Sequence, residues 1–221
     1  MSITANLRRL RTEFPDNVSL IAVSKYQPVE SLRQAYDAGQ RLFGENRVQE
    51  LVVKQAQLPS DVEWHFIGTL QTNKVKLIVP FVHTIHSIDS LNLLREVDRQ
   101  ACKHNRVIRI LLQLHLARES TKHGLFPDEC LALLRVFRPE EYPFVRIDGL
   151  MCIASFTDDT ECVRQEFRRL RTLFDTCRSD FFPHAPHFRH LSMGMSHDYP
   201  IALGEGTTML RIGTAIFGTR L

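Results

Sequence analysis

The stretch VSLIAVSK, residues 18–25, places apolar or β-branched side chains on both of its faces and then ends in a lysine. A strand that is apolar on both faces has to be covered on both, which is the condition of a strand in a parallel sheet layered by helices. Parallel neighbours need a crossover of a dozen or more residues between them. A helix opening at Pro28 supplies one here, proline being well placed in a first turn. The same couplet recurs along the chain. RLFGEN (41–46) precedes a helix through Val48, Leu51 and Val52, EWHFIG (63–68) precedes a helical stretch, and TIHSID (84–89) precedes a helix with Leu91, Leu94, Val97 and Ala101 on one face. RVIRILLQLHL (106–116) is followed by a helix near 128–137. VRIDGLMCI (145–153) is followed by the clearest helix in the chain, with Val163, Phe167, Leu170, Phe174 and Cys177 at spacings of four and three. FRHLSMG (188–194) and MLRIGTAIFG (209–218) read as strands seven and eight.

Eight strands separated by helices predict a (β/α)8 TIM barrel over residues 18–218, preceded by an N-terminal helix over 1–15, as a single domain. The competing α/β architecture is a doubly wound sheet. No GxGxxG follows the first strand, and the suspected polar residues lie at the ends of nearly all the strands instead of at one switch point. Both observations favour the barrel.

Composition sets the outer limits. The chain has 221 residues, 43% of them hydrophobic and 24% charged, the balance of a globular protein. No run approaches the roughly 18–20 apolar residues of a membrane span, and Arg8, Arg9 and Arg11 interrupt any signal-peptide core. A cytoplasmic protein is expected. A net charge of +3 gives no argument for nucleic acid as a partner. Cys102, Cys130, Cys152, Cys162 and Cys177 form no CxxC pair, which fits reduced and mostly buried thiols.

In such a barrel, chemistry sits at the C-terminal ends of the strands. Those ends carry Lys25, Glu45 and Asn46, His65 and Gly68, His86 and Ser87, Gln113 and His115, Met151, Ser192 to Ser196, and Arg211 to Thr214. Lys25 closes an apolar strand, so its amine would enter an enclosed mouth. Desolvation favours a neutral amine, which is a nucleophile able to form a Schiff base with an aldehyde. Most lysines instead snorkel to the surface. Gly213 and Thr214 at the end of strand eight, with Ser192, Gly194 and Ser196 at the end of strand seven, occupy the place where barrels often bind phosphate. A lysine and a phosphate cradle in one mouth suggest a phosphorylated aldehyde.

The ordered segments AVSK (22–25), FGENRVQE (43–50), WHFIGTLQTNK (64–74), HSID (86–89), GLM (149–151), LSMGMSHD (191–198) and RIGTAIFGTR (211–220) resemble the pyridoxal phosphate homeostasis proteins over nearly the whole chain. The resemblance implies a barrel similar to the N-terminal domain of bacterial alanine racemase, holding pyridoxal 5′-phosphate (PLP) as an internal aldimine on Lys25. It further implies that Ser196, Gly213 and Thr214, with backbone near Met195, hold the phosphate. Asn46 would lie beside the ring, and Arg211 would face the pyridine nitrogen. An arginine only donates hydrogen bonds, which favours an unprotonated nitrogen and weak carbanion stabilisation. In LHLARESTKHG (114–124), Lys122 and Gly124 fit the family, but His115 stands where the family usually has Asn.

The implied function is a non-catalytic cofactor protein in intracellular PLP homeostasis, with PLP-dependent apoenzymes as candidate acceptors and a monomeric state. No residue is assigned a catalytic role. The alternative is a PLP-dependent amino-acid racemase, which needs acid–base groups on both faces of the substrate carbon. Lys25 can serve one face, but none of the four tyrosines lies in the strand-end motifs, and the length leaves little room for a racemase's second domain. A cofactor-free Schiff-base aldolase would need an acid–base partner for Lys25, and the family resemblance argues against it. No metal site is expected, since His184, His187 and His190 have no HExxH pattern or cysteine partner and Pro183 and Pro186 interrupt any helix there. Arg164, Arg168, Arg169 and Arg171 are expected on a solvated helix face. Met193 and Met195 are expected to pack around the barrel mouth, and Trp64 and Phe66 to be core.

Overall fold

A computed structural model describes residues 2–118 and 123–218; Lys122 and the last two residues of the 211–220 motif lie outside the described residues. Eight parallel strands close into a barrel in chain order: β1 (Ser19–Val23), β2 (Leu42–Glu45), β3 (Glu63–Phe66), β4 (Thr84–Ile88), β5 (Ile108–Leu114), β6 (Val145–Cys152), β7 (His190–Ser192) and β8 (Met209–Ile212). The closing seam pairs β1 with β8 from Ser19 opposite Met209 to Ala22 opposite Ile212. That closure excludes the doubly wound sheet. Helices α2 (Val29–Asp37), α3 (Val48–Gln55), α4 (Val75–Ile78), α5 (Leu91–Lys103), α6 (Pro127–Val136), α7 (Thr160–Asp180) and α8 (Tyr199–Gly204) follow β1 to β7 in turn, with α1 (Ile3–Glu13) before the barrel and α9 (Thr214–Phe217) after β8.

Strand alternation sorts the apolar residues into two bodies. Leu20 and Ala22 of β1, Ile110 and Leu112 of β5, and Leu150 and Cys152 of β6 face outward into the main core between sheet and helices. Their in-between neighbours Ile21, Leu111 and Met151 join Met209 in a small cluster inside the barrel. Trp64 and Phe66 belong to the outer core, as expected. By the same alternation the inward residues of β3, β4, β7 and β8 are His65, His86, Ser192 and Arg211, all buried. Half of the barrel interior is therefore polar.

The N-terminal helix runs from Ile3 to Glu13, not over 1–15. The Ser2 hydroxyl accepts the Ala5 N–H at 3.2 Å as its cap. The Asn6 amide donates to the Ile216 carbonyl and Arg11 to that of Ala38, tying α1 to α9 and to the end of α2. Strand eight also differs from its expected range of 209–218. It ends at Ile212, where its pairing with β1 stops, and the N–H groups of Ile216 and Phe217 turn back onto the Gly213 carbonyl to make α9. Strand seven is shorter than 188–194 because Gly194 leaves the strand at φ +96°. A side chain could not follow it there: a Cβ would sit 2.6 Å from that of Ala202. The helix α8 was not foreseen, since six residues with Pro200 give little periodic signal.

Four cysteines are buried and Cys102 is exposed. Arg164 and Arg168 bind Glu205 at the end of α8, so the basic face of α7 is partly a tether and not wholly solvated. Met193 is fully buried. Among the described residues no helix is long and apolar enough to cross a membrane.

Candidate functional site

A cavity of about 840 Å³ opens at the C-terminal ends of the strands, and Lys25, Asn46, Met195, Ser196, Arg211, Gly213 and Thr214 all line it. Seven residues singled out from four separate stretches of sequence thus line one cavity. His115 and Gln113 also line it, whereas His65, His86 and Ser192 lie beneath it in the barrel. Glu45 is the clearest departure. It alternates with Gly44 and Asn46, faces α3, and does not reach the mouth.

Lys25 is presented by a braced loop. Its neighbour Ser24 is fully buried and continues the pairing of β1, its N–H donating to the Gly44 carbonyl at 2.9 Å. Tyr26 adopts φ +63°, a left-handed conformation that is uncommon away from glycine. Its N–H is secured by the Glu50 carboxylate at 2.8 Å. Behind the loop, Lys54 Nζ donates to the Ser24 carbonyl at 2.8 Å, to Glu45 at 2.7 Å and to Glu50 at 3.0 Å. One buried ammonium therefore ties β1, β2 and α3 together directly under Lys25. Burial raises the Glu45 pKa above its ordinary value, and Lys54 and the Ser24 hydroxyl oppose that shift. Glu50 is lower than usual because the Tyr26 N–H and Lys54 outweigh its desolvation. Sequence reasoning missed Lys54, although the Glu50–Lys54 pair at i,i+4 on one helix is a legible signal. It also missed Tyr26, one of the four tyrosines, which lines the cavity beside Lys25.

Asn46 is fixed by close backbone approach. A Cβ on Gly68 would lie 2.2 Å from the Asn46 carbonyl oxygen, so only glycine lets the end of β3 pass. The Asn46 Oδ1 is buried without a hydrogen-bond partner in the protein, an orphan acceptor in the wall of the cavity.

Arg211 is 4% exposed and rises from inside the barrel. Its Nη1 donates to Ser192 Oγ at 2.6 Å and its Nη2 to the Cys152 carbonyl at 2.7 Å. Burial lowers its pKa from the usual arginine value. The same Ser192 oxygen is 3.0 Å from His86 Nδ1, and His86 Nε2 is 2.8 Å from His65 Nδ1. Burial, reinforced by neighbouring histidines and arginines, holds both imidazoles well below their ordinary pKa, so they are neutral at pH 7. A line of neutral rings and a hydroxyl thus holds the one guanidinium in place.

Beside the end of β1, Ser196 Oγ accepts from the N–H groups of Gly213 and Ala215, both at 3.3 Å. This brings the turn after β7 onto the first turn of α9, where Thr214 is exposed. Met195 lines the cavity, but its N–H already donates to the buried Asp198 carboxylate. Its backbone donor is therefore committed within the turn, and Asp198 acts as a brace that the sequence did not reveal.

The polar groups suit a phosphorylated aldehyde: an amine, a serine and threonine at backbone N–H groups, an orphan amide acceptor and a fixed guanidinium, in one cavity.

A family model described as the alanine racemase N-terminal domain matches residues 1–221. The pyridoxal phosphate homeostasis protein of Aquifex aeolicus is 43% identical, with 91% of this chain and 86% of that one covered. PipY of Synechococcus elongatus, solved without PLP, superposes with a TM-score of 0.91 at 40% identity over 98% of this chain and 100% of PipY. PipY solved with PLP bound gives a TM-score of 0.87 at 39% identity over the same shares.

Proposed function

The chain belongs to the pyridoxal phosphate homeostasis proteins of the alanine racemase N-terminal domain family, and from that premise we propose that its barrel binds pyridoxal 5′-phosphate reversibly and buffers or delivers it, with no catalytic turnover of its own. The observation that carries this reading is the convergence of all seven expected residues on one cavity. When bound, the cofactor supplies a reactive aldehyde, and Lys25 is the amine we assign to bond it. The loop behind Lys25 keeps that amine at the mouth without help from a ligand. Thr214 and Ser196 offer hydroxyls and Thr214 its backbone N–H to a phosphate, and the Gly213 N–H joins them by leaving its 3.3 Å contact with Ser196 Oγ. Asn46 presents its buried Oδ1 and amide to the ring edge. Arg211 can donate but not accept, so opposite a pyridine nitrogen it supports the unprotonated form and withholds the proton that strong electron withdrawal needs.

A free aldehyde reacts with any amine, and enclosure within the barrel limits that reaction while leaving it reversible. We extend the reading to one cofactor-binding domain over residues 18–218 with α1 appended, a cytoplasmic monomer, and PLP-dependent apoenzymes as acceptors. Amino-acid racemisation remains a second reading on one observation, the presence of Tyr26 in the cavity wall. Tyr26 comes from the same loop as Lys25, whereas racemisation needs a base on the other face.

Titration with PLP, followed by absorbance, tests the proposal. The protein is expected to bind one cofactor per chain and to leave L-alanine unracemised. Thr214→Leu, at an exposed position that the fold does not depend on, is expected to weaken binding about tenfold or more, since a hydrogen bond to a charged group contributes about 1.5–3 kcal/mol. Unchanged affinity in Thr214→Leu would remove it from the phosphate site, and steady production of D-alanine would replace buffering with catalysis.

A further inference from the structure

At the opposite end of the barrel, Glu63 opens β3, His65 follows two residues on, and His83 immediately precedes β4. One ligand atom from each lies within 4.8 Å of the other two. His83 Nε2 is 3.4 Å from Glu63 Oε2, and its Nδ1 is taken by the Thr84 hydroxyl at 2.9 Å. His65 Nδ1 is taken by His86, which leaves Nε2, and that nitrogen is buried without a partner in a residue only 1% exposed. Each histidine thus has one nitrogen fixed by a neighbour and the other left over, the arrangement in which an outer hydrogen bond orients an imidazole toward a metal. A buried N–H with no acceptor is costlier than a bare lone pair. The tautomer with the lone pair on His65 Nε2 makes His65 Nδ1 the donor to His86.

We propose that Glu63, His65 and His83 form a site for a zinc-class divalent cation, with a water in the fourth position. Two imidazoles and one carboxylate are a donor set that zinc accepts. Ligand atoms around a tetrahedral zinc stand about 3.3 Å apart, so the three side chains must close in. Glu63 is half-exposed and His83 partly so, which leaves both room to move toward the buried His65 Nε2. Nearby positive charge is partly neutralised: Arg109 lies 3.8 Å from Asp148, which also binds Arg146. His190, on β7, has its pKa pushed down to about 4 and carries no charge there at neutral pH.

The site lies at the N-terminal ends of the strands, where barrels house stability and not chemistry. A cation there clamps the start of β3 to that of β4 without touching the cofactor cavity.

The test uses the whole chain, stripped with a chelator and then dialysed against zinc chloride, with metal content and melting temperature as readouts. About one zinc per chain is expected, with a rise of about 5–10 °C in melting temperature at zinc about 100-fold above its Kd. His83→Ala is expected to abolish both effects and Glu63→Gln to weaken binding at least about tenfold. Both variants keep all five thiols, so adventitious binding to cysteine is controlled. Absence of a zinc-dependent shift overturns the proposal, and so does zinc content in both variants equal to that of the parent protein. Because His65 also ends the line through His86 and Ser192 to Arg211, both readouts are taken without PLP, so this result stands or falls apart from the cofactor reading.

Discussion

Lys25→Ala is expected to lose covalent retention of PLP while keeping the fold. Borohydride should fix about one cofactor per chain in the parent protein, on the peptide containing Lys25, and none in the variant. Lys25 lies beyond the last paired residues of β1 and is only half-buried, so its truncation leaves no core cavity. The phosphate contacts around Ser196 and Thr214 remain. Residual binding should therefore persist but weaken on the order of 100-fold, or about 2.8 kcal/mol. The competing lysines make the outcome informative. Lys54 is 7% exposed with each of its three donors engaged, and Lys74, Lys76 and Lys103 lie away from the cavity lining. Borohydride labelling that survives in Lys25→Ala would reassign the amine. Parent protein that takes up no label at all would end the covalent reading.

The reason this assignment could be made from sequence is geometric. A barrel sends the ends of all its parallel strands to one face, so a list of strand ends is already a list of site candidates. Lys25, Asn46, Arg211 and Thr214 come from that list, and all four lie within two residues of a strand end and line the cavity. What alternation decides was harder to see. Glu45 and Asn46 are adjacent, yet one faces α3 and the other the cavity, and a register error of one residue exchanges them. Strand ends were overextended where apolar residues continue into a turn. Ile216 and Phe217 read as strand because they are apolar, but β1 has no residues left to pair with them and they coil into α9 instead. The braces were least legible. Ser192 under Arg211 and Lys54 under Lys25 act between elements across long sequence separations, and Asp198 under Met195 acts inside an irregular turn, so no periodic pattern reports which partner these polar side chains will meet. The barrel interior was unforeseen for a related reason: His65 and His86 each look like an isolated polar residue in an apolar strand until closure stacks them.

Lys54→Met is expected to be the most destabilising conservative change in the molecule, by about 3–5 kcal/mol at neutral pH. Removing one partner of a buried ion pair leaves the other charge uncompensated. The side chains of Lys54 and Glu45 are 7% and 0% exposed, so water cannot take over. The pH dependence has a defined sign. Burial already raises the Glu45 pKa in the folded chain, and Lys54 is among the groups opposing that shift. A group whose folded pKa is raised contributes stability below its unfolded pKa, and that contribution is lost as pH rises through the folded value. Without Lys54 the Glu45 pKa climbs further, so the deficit relative to the parent should be largest near neutrality and shrink as the carboxyl takes up its proton toward about pH 5. Denaturant unfolding of both proteins across that range checks it, and a deficit independent of pH would show that the lost Ser24 contact, and not the stranded carboxylate, is responsible. The double variant Lys54→Met with Glu45→Met separates charge from packing, because apolar groups filling both places of a buried pair are often neutral or stabilising. It should recover most of the stability. It should not recover PLP affinity, because Ser24 and Glu50 would still lack the ammonium that holds Tyr26 at φ +63° next to Lys25. Recovery of both together would mean that the loop is preorganised by the chain alone, with the buried ion cluster serving only the fold.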